Sequence, residues 1–198
     1  AIRPVLEIVG PTEQKHIVGM YMIITKRGPL FFADTTMNVN PNPQDFVDTT
    51  LLAAEQIKRY GIEPRIAMVS YSNFGSANQE SPRTVREAVK RLHAEHPDLI
   101  VDGEMQANFA LNTNLRDEVF PFSKLYKKEV NTIIFPDLNS GNIAYKMMQQ
   151  IGGADVIGPI LLGVNKPIHI IQRESSVREI IDMAAIAVID AQYHAEKK

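Results

Sequence analysis

The residues best suited to chemistry gather in the last third of the chain. Arg173 stands one turn ahead of a helix start at Ser176. A guanidinium there can grip a phosphate bidentately, helped by the free N–H groups of the helix. A surface salt bridge is its competing use. The turn Gly163-Val164-Asn165-Lys166-Pro167 is close in sequence, so Asn165 and Lys166 are candidates to stand beside it. In Asp137-Leu138-Asn139-Ser140-Gly141-Asn142 a strand runs into a helix, and Ser140 and Asn142 sit where helix N–H groups face an anion. Glu179 has a structural role of its own: Ser176-Val177-Arg178-Glu179 reads as a capping box, Ser at the N-cap and Glu at N3.

Three further sets carry weaker signals. Ser70, Ser72, Asn73 and Ser76, around Gly75, could form a neutral wall for carbonyl or phosphate oxygens, or be an ordinary polar loop. Asp34, Asp102 and Glu104 all read as following strands, so they could converge at one sheet edge to hold Mg²⁺ or act as acid and base. N-caps and turn residues are the alternative. His93 and His96 lie three apart on a helix with no HExxH pattern, and read as a solvated pair near the helix end rather than metal ligands. Neither GxGxxG nor GxxxxGK[ST] occurs, so a dinucleotide fold or P-loop is not supported.

These residues need a scaffold, and the hydrophobic pattern supplies one. Residues 16–25 and 30–34, around Lys26-Arg27-Gly28-Pro29, read as an antiparallel hairpin. Asn42 caps a helix with Pro43 at its first position and Gly61 as its stop. Short apolar strands at 65–70, 99–101 and 132–135 alternate with helices, one starting at Ser81-Pro82 and another running from Ser176 to about Gln192. Such alternation predicts an α/β fold: a mostly parallel sheet flanked by helices. Gly152-Gly153 is the expected crossing between two lobes, dividing the chain into 1–152 and 153–198. The last helix is apolar over more than one stripe and needs cover on several sides.

Composition excludes several functions. The 198 residues are 44% hydrophobic and 22% charged, enough for a sizeable core. A net charge of -2 offers no field for nucleic acid or an anionic membrane, and the longest apolar runs are too short to span a bilayer. Absence of cysteine removes disulfides and thiol chemistry and fits a cytoplasmic setting. The chain opens without Met, in what reads as the middle of a domain, and is expected to be part of a longer protein.

Motifs spread along the chain carry a resemblance. They are Phe32-Ala33-Asp34, Asn40-Pro41-Asn42-Pro43, Gly61-Ile62-Glu63-Pro64, Asp102-Gly103-Glu104-Met105-Gln106, Phe135-Pro136-Asp137-Leu138, Gly141-Asn142-Ile143-Ala144-Tyr145-Lys146, Gly152-Gly153-Ala154 and Ile157-Gly158-Pro159-Ile160. The chain resembles the C-terminal part of the phosphate acetyl- and butyryltransferase family. Within it, the stretch from Ser70 to Ser76, Phe120-Pro121-Phe122-Ser123 and Gln172-Arg173 are similar to the transferase-like domain of bacterial NADP-dependent malic enzymes.

The resemblance implies a two-lobed α/β domain whose interlobe cleft takes CoA and acetyl phosphate, and a dimer formed through the second lobe. This chain would hold that second lobe and the returning segment of the first. Active family members have a Ser-Arg pair where Gln172-Arg173 stands, and an Asp, proposed as the base for the CoA thiol, where Glu179 stands. Glu174 also replaces a glycine and adds a negative charge. The expectation is therefore a regulatory domain that binds acetyl-CoA or a related acyl-CoA through Arg173, Asn165 and Lys166, facing Ser70, Ser72, Asn73, Ser76, Ser140 and Asn142, with no catalysis of its own. It would form homo-oligomers and act on a malic enzyme catalytic domain in the same chain, which would use NADP and a divalent metal. An active phosphate acetyltransferase and a purely structural oligomerisation domain are the alternatives.

Overall fold

The computed structural model describes residues 3–12, 16–34, 36–173 and 175–196. After a short helix α1 (Arg3–Val9), β1 (Val18–Thr25) and β2 (Gly28–Ala33) form the expected antiparallel hairpin, closed by Lys26-Arg27. There follow α2 (Pro43–Arg59), β3 (Arg65–Val69), α3 (Glu80–Glu95), β4 (Ile100–Met105), α4 (Ala107–Leu111), α5 (Thr113–Val119), β5 (Thr132–Ile134), α6 (Leu138–Gly152), β6 (Asp155–Leu162) and α7 (Val177–Glu196). The six strands form one sheet in the order β4-β3-β5-β2-β1-β6. Only β1 opposes its neighbours; the other strands run parallel. The α/β architecture expected from alternation is thus observed. α1 was not expected, because two turns carry too few apolar repeats to show a period.

Local chemistry explains the boundaries. Asn42 accepts from the N–H groups of Gln44 and Asp45, and Asp45 returns the bond, which fixes the start of α2 at Pro43. Asp137 caps α6 through the Ser140 N–H at 2.8 Å, and Gly153, left-handed at φ 56°, ends it. Past that glycine the chain enters β6, which pairs with β1 in the same sheet. One sheet face buries Phe46, Ile57, Val85, Leu92, Met183 and Ile186, so it carries α2, α3 and α7. The opposite face buries Tyr21, Phe32, Ala110, Leu125 and Tyr145, under α4 to α6. Among the described residues no helix is long and apolar enough to cross a membrane.

One buried polar cluster ties α7 to α2 and to the outer edge of β6. His169 Nδ1 accepts the Leu161 N–H at 3.3 Å, which leaves Nε2–H to donate to Asp190 Oδ2 at 3.0 Å. Gln56 Nε2 donates to Asp190 Oδ1 at 2.6 Å, and Arg59 Nη1 lies 3.5 Å away. Burial alone pushes the Asp190 carboxyl up, but the hydrogen bonds from His169 and Gln56 and the charge of Arg59 outweigh it and hold the pKa below the ordinary value. Because the folded value is depressed, this stabilisation is complete above the unfolded carboxylate value of about 4 and is lost as pH falls through the folded one. Asp190→Asn should therefore cost about 1–3 kcal/mol near neutrality and flatten the acid limb of stability, read by urea unfolding across pH.

Candidate functional site

A groove opens at the amino half of β6, on the face that carries α6. Tyr21 of β1 and Tyr145 of α6 stack with ring centroids 4.0 Å apart, and the Tyr21 hydroxyl donates to that of Tyr145 at 3.3 Å. Around them stand Lys146, Gln149, Val156, Gly158, Gln172, Ser175 and Glu179, enclosing about 200 Å³. Gly158, at φ 146°, lies where a Cβ would come within 2.5 Å of the Tyr21 ring, so only glycine lets that ring sit flat against β6. Burial, then the Tyr145 hydroxyl, drives the Tyr21 pKa up; the nearby Gln172 side chain works against this, and the charge of Glu179 adds to the rise. Tyr21 thus remains a neutral hydroxyl.

Residues 165–172 return along β6, since His169 bonds the Leu161 N–H, and this brings Gln172 back over Gly158. Gln172 and Ser175 close a tight turn: the Gln172 N–H donates to Ser175 Oγ at 3.0 Å and the Ser175 N–H to the Gln172 carbonyl at 3.1 Å. The expected capping box is present. Glu179 Oε2 accepts the Ser176 N–H at 2.6 Å, and Ser176 Oγ accepts the Glu179 N–H at 3.2 Å. Among the described residues, the one carboxylate lining the groove therefore already holds a helix end. Arg173, next in chain, is exposed, with no partner among the described residues; Glu174 lies outside them.

Other candidates lie elsewhere. Asn165 Nδ2 donates to the Pro11 carbonyl at 2.8 Å and its N–H to Gly10 at 3.2 Å, so it binds the segment after α1, while Lys166 beside it is exposed. Both follow the carboxyl end of β6, and the groove is near its amino end. Ser70, Ser72, Asn73 and Ser76 surround a protein carboxylate: Ser72 Oγ donates to Glu104 Oε1 at 2.7 Å, the Gly75 N–H to the same oxygen at 2.9 Å, and Ser76 Oγ lies 3.2 Å from Ser72 Oγ. Ser70 Oγ accepts the Ser72 N–H at 3.4 Å, and Asn73 Oδ1 accepts the Gln106 N–H at 2.8 Å. This loop follows β3, four strand spacings from β6, or about 19 Å. Ser140 turns its hydroxyl back onto the Asp137 carbonyl at 2.9 Å, and Asn142, the fifth residue of α6, is half-buried.

The three acidic residues do not converge. Asp102 and Glu104 are interior residues of β4, which runs past Val101 to Met105, and Asp102 is consumed by the Ser123 hydroxyl at 2.7 Å and the Lys124 N–H at 2.8 Å. Asp34 organises the turn after β2. Among the described residues no group of three His, Asp or Glu could hold a metal, and His93 instead bonds the Val101 carbonyl at 2.8 Å. Tyr21, Tyr145 and Lys146 were not singled out as site residues. Tyr145-Lys146 stood within a quoted motif, but the Tyr21 contact spans 124 residues of chain.

A six-stranded α/β sheet with a groove joining β1, β6, α6 and the start of α7 defines a phosphotransacetylase-like domain. The family model described as phosphate acetyl/butaryl transferase matches residues 1–188, and the chain belongs to that family. It is 37% identical over 187 residues to an NADP-dependent malic enzyme of Salmonella typhimurium, covering 93% of this chain and 24% of the enzyme. It is 33% identical over 191 residues to a phosphate acetyltransferase of Bacillus subtilis, covering 96% of this chain and 59% of that protein. A phosphotransacetylase structure from Streptococcus pyogenes superposes with TM-score 0.90 at 35% identity, covering 97% of this chain and 59% of that one. The chain thus spans about a quarter of the malic enzyme and under two thirds of the transferases.

Proposed function

We propose that this chain is an acyl-CoA-sensing domain, a transferase-type receptor for acetyl-CoA that regulates a malic enzyme catalytic part rather than transferring the acyl group. The observation that carries this reading is the occupation of the groove's reactive positions. Gln172 lines the groove together with Tyr21, and Glu179 is committed through Oε2 to the Ser176 N–H at 2.6 Å. A carboxylate held in a capping box is poorly placed to take a thiol proton, and a misplacement of about 1 Å can cost roughly a hundredfold in rate. Arg173, exposed beside Gln172, keeps the means to bind phosphate or an acyl carbonyl.

Regulation requires that acetyl-CoA prefer one arrangement of the oligomer, and it shifts the catalytic part only by that differential affinity. Assembly through this lobe is supported by a ring cluster, Phe74, Phe109, Phe120 and Phe122, in which Phe122 is 69% exposed. NADP and the divalent metal belong to the catalytic part. The test is calorimetric titration of the full-length protein with acetyl-CoA, beside malate oxidation at each concentration. Arg173→Ala should weaken acetyl-CoA binding about tenfold or more and shift its effect on malate oxidation equally, with basal oxidation unchanged. Equal affinity in the variant would contradict the assignment of Arg173.

A further inference from the structure

We propose a second ligand site at the amino edge of the sheet, on the opposite edge from the carboxyl ends, for a small organic anion with an apolar body. The cleft encloses about 450 Å³, within the range of small-molecule sites. Strand lengths create it. β5 has three residues and begins at Thr132, which pairs with Phe31 of β2 and Ile66 of β3, so both neighbours overhang it. The floor is built in advance: Asn131 Oδ1 accepts the Arg65 N–H at 2.8 Å and Nδ2 donates to the Glu63 carbonyl at 2.8 Å, so the Asn131 side-chain amide is already held by the protein.

Walls and mouth differ in chemistry. Leu30, Ile62, Leu111 and Val130 supply apolar surface, while Lys26, Arg27 and Arg65 supply three cations; among the described lining residues Glu129 is the one carboxylate. Arg65 Nε donates to the Glu129 carbonyl, which fixes the guanidinium, and its Nη1 lies 3.7 Å from Glu63, a side chain 65% exposed and well screened. The side chains of Lys26 and Arg27 have no partner among the described residues. In a chain of net charge -2 this excess is local. Cations at the mouth and apolar walls behind them suit an anionic head on an apolar body, with both parts needed.

Phenyl phosphate is the probe, because it carries both parts and lacks the nucleotide of CoA. Calorimetry on the full-length protein should show saturable binding, tighter than either phenol or inorganic phosphate. Lys26→Ala/Arg27→Ala, on an exposed hairpin turn, should weaken it about tenfold or more, and Leu111→Glu likewise, while Arg173→Ala leaves it unchanged. The proposal fails if binding does not saturate, if both cleft variants bind as the parent does, or if phenol binds as well as phenyl phosphate. It also fails if Arg173→Ala abolishes binding, which would put the probe in the groove instead.

Discussion

Asp34→Asn should destabilise the protein by about 3–4 kcal/mol, read as a lower urea midpoint at unchanged slope. The carboxylate is 6% exposed and works only as an acceptor. Its Oδ1 takes the N–H groups of Gly19 at 3.1 Å, Thr36 at 2.8 Å and Met37 at 3.2 Å; Oδ2 takes the Asn38 N–H at 2.8 Å and Asn38 Nδ2 at 2.6 Å. An amide of the same size turns an NH₂ toward a set of donors, so one cluster of N–H groups loses its acceptor in a buried place. The same residue could be read from sequence as a metal ligand or an acid. If so, the asparagine variant would keep its stability and lose ligand binding or activity, the opposite outcome.

Glu104 gives the second large effect, and a graded one. The side chain is fully buried, and Oε1 alone collects Ser72 Oγ at 2.7 Å, the Gly75 N–H at 2.9 Å and Arg86 Nη1 at 3.1 Å. Among the described residues Oε2 has no hydrogen-bond partner. Glutamine can place its oxygen at the Oε1 position and keep all three bonds, losing the charge that faces Arg86 and burying an unpartnered NH₂, for about 1–2 kcal/mol. Alanine leaves all three donors stranded and should cost about 3–5 kcal/mol. Chemical denaturation should rank the parent above Glu104→Gln and that above Glu104→Ala. Proteolysis within the loop 70–76 should rise in the same order, because this carboxylate is what the loop wraps around. Equal stability of the two variants would mean that the charge, not the bonds, holds the loop.

How far these features could be read from sequence follows the range of the interaction. The hairpin, the Asn42 cap and the Ser176–Glu179 capping box depend on residues a few positions apart, and all were legible. The loop with Ser70 and Ser76 could be read as a hydrogen-bonding wall or as an ordinary polar loop, but not as one that faces Glu104. That depends on β4 running on to Met105, which places Glu104 inside the sheet rather than after it. Asn165 shows the same limit: its turn is local, while its partner Pro11 lies 154 positions away. The groove combines both cases. Gln172 and Glu179 are near neighbours in sequence, whereas Tyr21 joins them only because β1 pairs with β6.

The central claim is that the groove binds acetyl-CoA without transferring its acyl group. Release of free CoA from acetyl-CoA in the presence of inorganic phosphate, measured on the full-length protein beside Arg173→Ala, tests it most directly. The account predicts no phosphate-dependent release from either protein, with saturable acetyl-CoA binding by the parent alone. Sustained turnover by the parent, lost in Arg173→Ala, would contradict it and make this a working transferase despite Gln172 and the capped Glu179.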